Sequence, residues 1–496
     1  GDGGGGNGDY DVRGVGGSSL SGAVFNFTNS IVGAGCIGLG GAIAISGGAI
    51  SIFCILFFGV LTKLSLDMLI ELTVATEGSG GTYEGLGKAA FGAPGRVAVL
   101  VSKTLYSFGC LVAYLIVVKD NFGSGMRQLL YRGTGDDRGV TTWLESFLEK
   151  EDILTVMLSL VVVLPLCMLR DLAPLAKFSA ISVLSMVSIV VIVVSLYFLN
   201  PGGEVQHDGG STYEKWLEVR PGIFESLGTF IFTYVSQHTV HLAYESLSTD
   251  IKNVKTWRTV STLSVGIAAA VSLTIGVFVY MSFWNGTQSD VFKMYPDSVY
   301  AIDIAKILLC VTMLLTFPLP FFTCREMLVL MANDCHQPRV GDSPVEEGRR
   351  QRAQNDGAKT SAHNEEGLGE DLEEPLLEVV EPPSPQRSRQ TGTIHSAPPW
   401  TMPDDSRQLR LTYHIILTSL LWLIVTALAV MAPSLGDVLD LVGCAAGTAI
   451  AFVLPALFSF RLVGYSRLGA TIFLVGGSVG TIGTYFSTVQ LLSDKI

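Results

Sequence analysis

Four stretches of this chain, Ile153–Leu169, Ile181–Leu199, Val260–Phe283 and Leu411–Met431, are almost free of charge and close to or above twenty residues long. About twenty apolar residues are what a helix needs to cross a bilayer core. A chain built of such runs folds in lipid, where every backbone N–H and C=O must be satisfied internally. Only 15% of the 496 residues are charged, against about 25% in ordinary soluble domains. The fold class expected is therefore an all-α polytopic membrane protein.

Hydropathy predicts eleven spans, near 19–46, 48–73, 96–118, 153–169, 176–199, 222–244, 259–283, 302–331, 410–432, 438–460 and 468–492. Between the eighth and ninth, residues 337–408 are rich in Pro, Ser, Glu and Arg and poor in aromatics. Such a segment cannot bury enough apolar surface to fold alone. It reads as a disordered cytoplasmic loop dividing spans 1–8 (18–336) from spans 9–11 (409–496). Residues 1–17 are a low-complexity leader, and no cleavable signal peptide is evident. Basic residues favour a cytoplasmic N-terminus. With it inside, the short inner loops hold Lys88, Arg96, Arg170, Lys177, Lys252, Lys255, Arg258, Arg461 and Arg467, and the long loop adds more. Eleven spans then leave the C-terminus outside or lumenal. Asn285-Gly-Thr, a candidate glycosylation acceptor, falls in an outer loop on this topology.

The first span is interrupted. It reads Phe25-Asn-Phe-Thr-Asn29-Ser30-Ile31-Val32-Gly33-Ala34-Gly35-Cys-Ile-Gly38-Leu-Gly40, apolar at its flanks and polar then glycine-rich at its centre. Irregular backbone survives at membrane depth only where protein covers it or a cavity adjoins it. Five spans later comes a second irregular stretch, Gly228-Thr-Phe-Ile-Phe-Thr-Tyr-Val-Ser236-Gln237-His238-Thr-Val-His241. Breaks in spans 1 and 6 are what an inverted five-plus-five repeat gives, with the two sites facing each other near the midplane. Unwinding frees N–H groups and a positive helix end for a carboxylate, and freed carbonyls for a small cation. Asn29, Ser30, Thr312 and Thr316 add neutral oxygens suited to sodium. With no Asp or Glu in the first break, a strongly cationic substrate is disfavoured there. Ser236-Gln237-His238 also has a plainer explanation, the polar end of span 6.

Other features are read more simply. The cysteines lie mostly in apolar runs and are taken as small apolar fillers. Lys63, Asp67 and Glu71, at four-residue steps, form an interfacial charge ladder. Lys103 is placed to snorkel, Asp437 and Asp440 sit at the interface, and His238 is a structural hydrogen-bonder. Gly443-xxx-Gly447 and Gly476-xxx-Gly480 are packing seams within the bundle. No basic stripe suggests nucleic acid. No His-x-x-x-His, Gly-x-Ser-x-Gly or paired intramembrane Asp supports an enzyme, and no cofactor is expected.

The broken segment resembles the first-span signature of the sodium-coupled neutral amino acid transporters, within the amino acid/auxin permease superfamily. The similarity extends through Gly81-Thr-Tyr83-Glu-Gly-Leu-Gly87-Lys-Ala-Ala-Phe91-Gly92, Tyr114-Leu-Ile-Val-Val-Lys119 and Tyr244-Glu-Ser-Leu247. It continues in Leu315-Thr316-Phe-Pro318 with Arg325-Glu326, and in Leu441-Val-Gly443 with Phe452-Val-Leu-Pro455-Ala-Leu-Phe458. The resemblance implies a LeuT-like fold of eleven helices, five plus five plus one, working as a monomer in the lipid bilayer. It implies a neutral amino acid substrate and sodium as coupling ion, with Asn29 and Thr316 on sodium and Ser30 through Gly35 on the substrate's backbone groups. Vacuolar and lysosomal relatives use protons or act as sensors, and those alternatives stay open, as does plasma against vacuolar membrane. Two departures stand out. Ser236-Gln237 occupies the place where the family often has Cys-His, and the loop 337–408 is longer than is usual there.

Overall fold

A computed structural model describes residues 17–76, 81–131, 143–170, 179–199, 216–295, 299–336 and 409–493. The leader and the 337–408 loop lie outside them. Among the described residues the main compact unit runs up to Leu330 and from Leu411 onward.

The long elements are all helical. They are α1 (Leu20–Ile31), α2 (Ala34–Ser46), α3 (Gly48–Ala75), α4 (Tyr83–Tyr131), α5 (Glu151–Met168), α6 (Ser179–Leu199), α7 (Ile223–Phe232), α8 (Val240–Glu245), α9 (Val254–Phe283), α10 (Tyr300–His336), α11 (Leu411–Met431), α12 (Leu435–Leu462) and α13 (Arg467–Ser493). Among the described residues nine helices are long and apolar enough to cross a membrane, and α1 with α2, bent by 52°, makes a tenth. The protein is a multi-pass membrane protein. Apolar side chains such as Phe53, Val60, Val161, Leu184 and Leu423 are exposed, as a lipid-facing surface requires.

Local chemistry sets the helix ends. Ser19 caps α1 by accepting the Gly22 N–H, and Asn253 caps α9 by accepting the Thr256 N–H. Each satisfies one of the donors a helix start leaves open. Gly47 turns the chain from α2 into α3 with φ of 106°, where a side chain would meet the Glu218 carbonyl. Gly92, φ 67°, breaks α4. The stretch before it folds back on the stretch after it, so that Gly87 lies against the Gly95 carbonyl.

That fold-back changes the expectation for Lys103. It does not snorkel; it is buried and pairs with Glu84 at 3.3 Å. The pairing removes the cost of an isolated charge, which is why the ammonium need not reach for water. The charge ladder on α3 is stitched across to α9. Lys63 pairs with Asp67 at 2.7 Å, Ser261 donates to Asp67 at 2.6 Å, and Arg258 bonds Glu71 through Nε at 2.9 Å. At the end of the bundle where α1 starts, Trp257 is fully buried between Phe27 and Tyr244 and donates to the Leu66 carbonyl. It ties the segment before the first break to the segment after the second.

The glycine seams act inside the chain. Gly443 lies against the Gly228 carbonyl, Gly476 against the Phe452 ring, and Gly480 2.7 Å from Thr448 Oγ1 for an added Cβ. Seven of the eight cysteines are buried, and Cys335 is exposed. Asp437 and Asp440, expected at an interface, are both buried where α12 packs on α7 and α13.

Candidate functional site

Helix α1 stops at Ile31 because Val32 and Gly33 are extended, with φ/ψ of −77°/109° and −149°/−150°. The Val32 N–H still returns to Thr28 O at 2.9 Å, and Cys36 N–H reaches back to Gly33 O at 3.2 Å. Between them, the start of α2 leaves the N–H groups of Ala34 and Gly35 without intrahelical acceptors. These are the donors a carboxylate would use.

The second break lies between Phe232 and Val240. Thr239 N–H bonds Ser236 O at 3.0 Å, and Ser236 N–H bonds Gln237 Oε1 at 3.1 Å. Ser236 and Gln237 are fully buried. Yet among the described residues Ser236 Oγ, Gln237 Nε2, His238 Nδ1 and the Tyr234 hydroxyl find no hydrogen-bond partner. Buried polar atoms are rarely left unpaired, so several in one stretch mark a place where water or a ligand completes the bonding. His238 is therefore not the self-contained hydrogen-bonder anticipated.

The two breaks touch. A Cβ built on Gly35 would fall 2.7 Å from Thr233 Cα and 3.0 Å from its N and Oγ1. Only glycine allows this backbone approach. Behind them stands α4, which contributes two tyrosines that the sequence reading left out of the site. The Tyr106 hydroxyl donates to Val235 O at 3.1 Å, and its ring centroid lies 5.2 Å from that of His238. The Tyr114 hydroxyl lies 3.3 Å from where a Gly33 Cβ would be and has Thr316 of α10 as a neighbour. Tyr106 and Tyr114 are eight residues apart, on one face of the helix. One holds the second break, and the other links the first break to α10.

The remaining expected residues divide. Ser30 Oγ donates to Phe27 O at 2.7 Å, Thr312 Oγ1 to Leu308 O at 2.9 Å and Thr316 Oγ1 to Thr312 O at 2.8 Å. Each hydroxyl spends its proton on its own helix and keeps lone pairs free, the state a cation ligand needs. Thr316 joins the first break through Tyr114. Asn29 is half-buried one turn before the break. Ile31 and Ala34 are buried and Val32 half-buried. Thr28 Oγ1, not expected in the site, is another buried oxygen that finds no partner among the described residues. Asn285 falls in the turn Trp284–Gly286.

Residues 16–479 match the family described as transmembrane amino acid transporter protein. The chain belongs to that family. Among relatives, it is 29% identical over 308 residues to the Bos taurus protein named "Putative sodium-coupled neutral amino acid transporter 11", covering 62% of each chain. It is 24% identical over 322 residues to vacuolar amino acid transporter 2 of Saccharomyces cerevisiae, covering 64% of this chain and 63% of that one. It is 22% identical over 497 residues to sodium-coupled neutral amino acid symporter 2 of Danio rerio, covering 95% and 82%. The chain thus spans less than two thirds of the length of the first two. A solved structure of a Na+-coupled sialic acid symporter aligns over 96% of this chain and 89% of its own with TM-score 0.45 and 16% identity.

Proposed function

We propose that the protein is a secondary active transporter of neutral amino acids, driven by sodium and working by alternating access. The observation that carries this is the contact between two broken helices, Gly35 against Thr233, beside unpartnered buried polar atoms at Ser236, Gln237 and His238. The amino acid's carboxylate would sit on the N–H groups of Gly33 to Gly35, backed by Ser30 through Ala34. Its ammonium and side chain would face Ser236-Gln237-His238. Sodium would use Asn29, Thr312 and Thr316, whose hydroxyl and amide oxygens keep free lone pairs. Neutral ligands suit an ion that must be released again on the other side.

On this reading α7, with its break and α8, is the sixth span and brings the count to eleven, and the fold is a LeuT-like five-plus-five repeat with α13 added. The N-terminus and 337–408 face the cytoplasm, the C-terminus and Asn285 the outside or a lumen, and the monomer is the working unit.

The test is uptake by proteoliposomes. An inward sodium gradient is expected to drive accumulation of a neutral amino acid, and Asn29→Ala to weaken the sodium dependence. Uptake driven by a proton gradient and indifferent to sodium would favour the proton-coupled vacuolar type instead. Specific binding without flux would favour a sensor.

A further inference from the structure

Asp440 is buried where three segments meet. Its Oδ1 accepts the Thr229 N–H at 2.7 Å. Glycine brings the helices this close: Gly228 of α7 lies against the Asp440 backbone, and Gly443 lies against the Gly228 carbonyl. The adjoining Leu439 packs against Gly38 of α2, which also faces Thr229. The carboxyl therefore sits where the second half of the first interrupted region, α2, and the first half of the second, α7, bear on α12.

Among the described residues its surroundings supply no counter-ion. On α7 the near charge is Glu225, and on α12 it is Asp437, itself bonded to Ser434 and to Gln490 of α13. One turn along α12 lies Cys444, and α2 offers only Cys36 among ionisable groups. On the stretch of α4 from Tyr106 to Lys119 the ionisable groups are Tyr106, Cys110, Tyr114 and Lys119. Lys119 Nζ donates to the Ala429, Val430 and Ala432 carbonyls. Among the described residues no Lys or Arg bonds Asp440. A carboxylate at membrane depth with one N–H donor and acidic neighbours is costly to keep charged. Adding a proton removes that cost.

We propose that Asp440 is a proton-binding site tied to closure of the outer side, rather than a fixed structural charge. The carboxylate takes a proton from outer solvent as α2 and α7 close on α12. The O–H bond breaks, and the proton returns to water, when they part. No other bond changes. External acid then favours the closed, substrate-retaining arrangement. The proposal rests on the transport reading for its direction, but the protonation itself can be read without transport.

Thermal unfolding of the purified full chain, without substrate, from about pH 5.5 to about pH 8.5 compares wild type with Asp440→Asn and Asp440→Glu. Wild type and Asp440→Glu are expected to lose stability relative to Asp440→Asn as pH rises; parallel curves overturn the proposal. Should Asp440→Asn fail to fold, labelling of the wild-type protein by a hydrophobic carbodiimide is read by peptide mapping. Modification of Asp440 that grows as pH falls supports the site, and absent or pH-independent modification overturns it. In proteoliposomes, sodium-driven uptake by wild type is expected to fall several-fold between about pH 6 and about pH 8.5 outside, and that by Asp440→Asn to stay flat. An unchanged pH profile with a tenfold higher sodium requirement in Asp440→Asn makes the residue a cation ligand and overturns the proton assignment. Diverging melting curves with no uptake by any variant count against the transport reading alone.

Discussion

Replacing Gly35 by alanine tests the contact on which the site depends. The new methyl carbon would stand 2.7 Å from Thr233 Cα, where ordinary contacts begin at 3.4 Å. The backbones must therefore part by about 0.7 Å, taking the difference of those two distances. Thr233 offers no flexible tip to move aside, because the nearest atoms are its Cα and N. Overpacking of this kind costs about 1–3 kcal/mol. Because the strain falls on the donors that would hold the carboxylate, much of it should appear as lost affinity, about tenfold for each 1.4 kcal/mol. The assay is a titration of thermal stability with a neutral amino acid at saturating sodium, alongside uptake. Gly35→Ala is expected to need about ten- to hundredfold more substrate and to transport poorly. Two controls locate the effect. Gly33→Ala meets only the movable Tyr114 hydroxyl at 3.3 Å, and Gly477→Ala meets nothing within 4 Å, so the first should be mild and the second neutral. Wild-type affinity and melting temperature in Gly35→Ala would refute the description of touching breaks.

Four further outcomes are expected. Thr316→Val keeps the shape and removes the hydroxyl, so the sodium concentration for half-maximal uptake should rise about tenfold while substrate affinity at saturating sodium changes little. Tyr106→Phe keeps the ring beside His238 but loses the bond to Val235 O; a drop in uptake of about two- to tenfold is expected from one hydrogen bond. Glu84→Gln strands the Lys103 ammonium in a buried place and should cost about 3–5 kcal/mol, most of it recovered in the Glu84→Gln, Lys103→Met double variant. In the loop between α9 and α10, Asp290 accepts from Asn121 Nδ2 at 2.6 Å and from Phe292 N–H at 3.1 Å. Burial, with Asp120 nearby, pushes its carboxyl up to about 6 against the bonds from Asn121 and Phe292 and the Lys293 charge. An acid raised on folding stabilises fully below the unfolded value and loses that contribution as pH rises through the folded one. Asp290→Asn should therefore gain stability relative to wild type as pH rises from about 4 to about 6.5, by at most about 3 kcal/mol read from melting curves, and parallel curves would refute it.

Much of the architecture was legible because lipid admits few solutions. Apolar runs must be helices, and the glycines of Val32-Gly33-Ala34-Gly35 can interrupt one only where something covers them. The bend came where the sequence placed it, between Ile31 and Ala34. What could not be read was pairing across the bundle. Tyr106 and Tyr114 look like ordinary core aromatics in an apolar helix, and only the packing of α4 behind both breaks turns their hydroxyls toward Val235 and Gly33. A signal existed, since a buried tyrosine hydroxyl needs a partner, but it named no partner.

Two of the misplaced charges, Lys103 and Asp440, fail for one shared reason. Lys103 and Asp440 lie a turn or two from helix ends, where a charge ordinarily reaches water. For Lys103 the departure follows from Gly92 with φ of 67°, which folds Tyr83–Phe91 back and delivers Glu84 to the ammonium. For Asp440 it follows from Gly228 and Gly443, which draw α7 and α12 together until the carboxyl is covered. In both, a glycine outside the charged residue's own turn decides its solvation. The two results differ in kind. The first burial comes with a counter-ion and so fixes a structure; the second comes without one, so its energy depends on whether α2 and α7 are packed or apart, which is the difference a transport cycle must create.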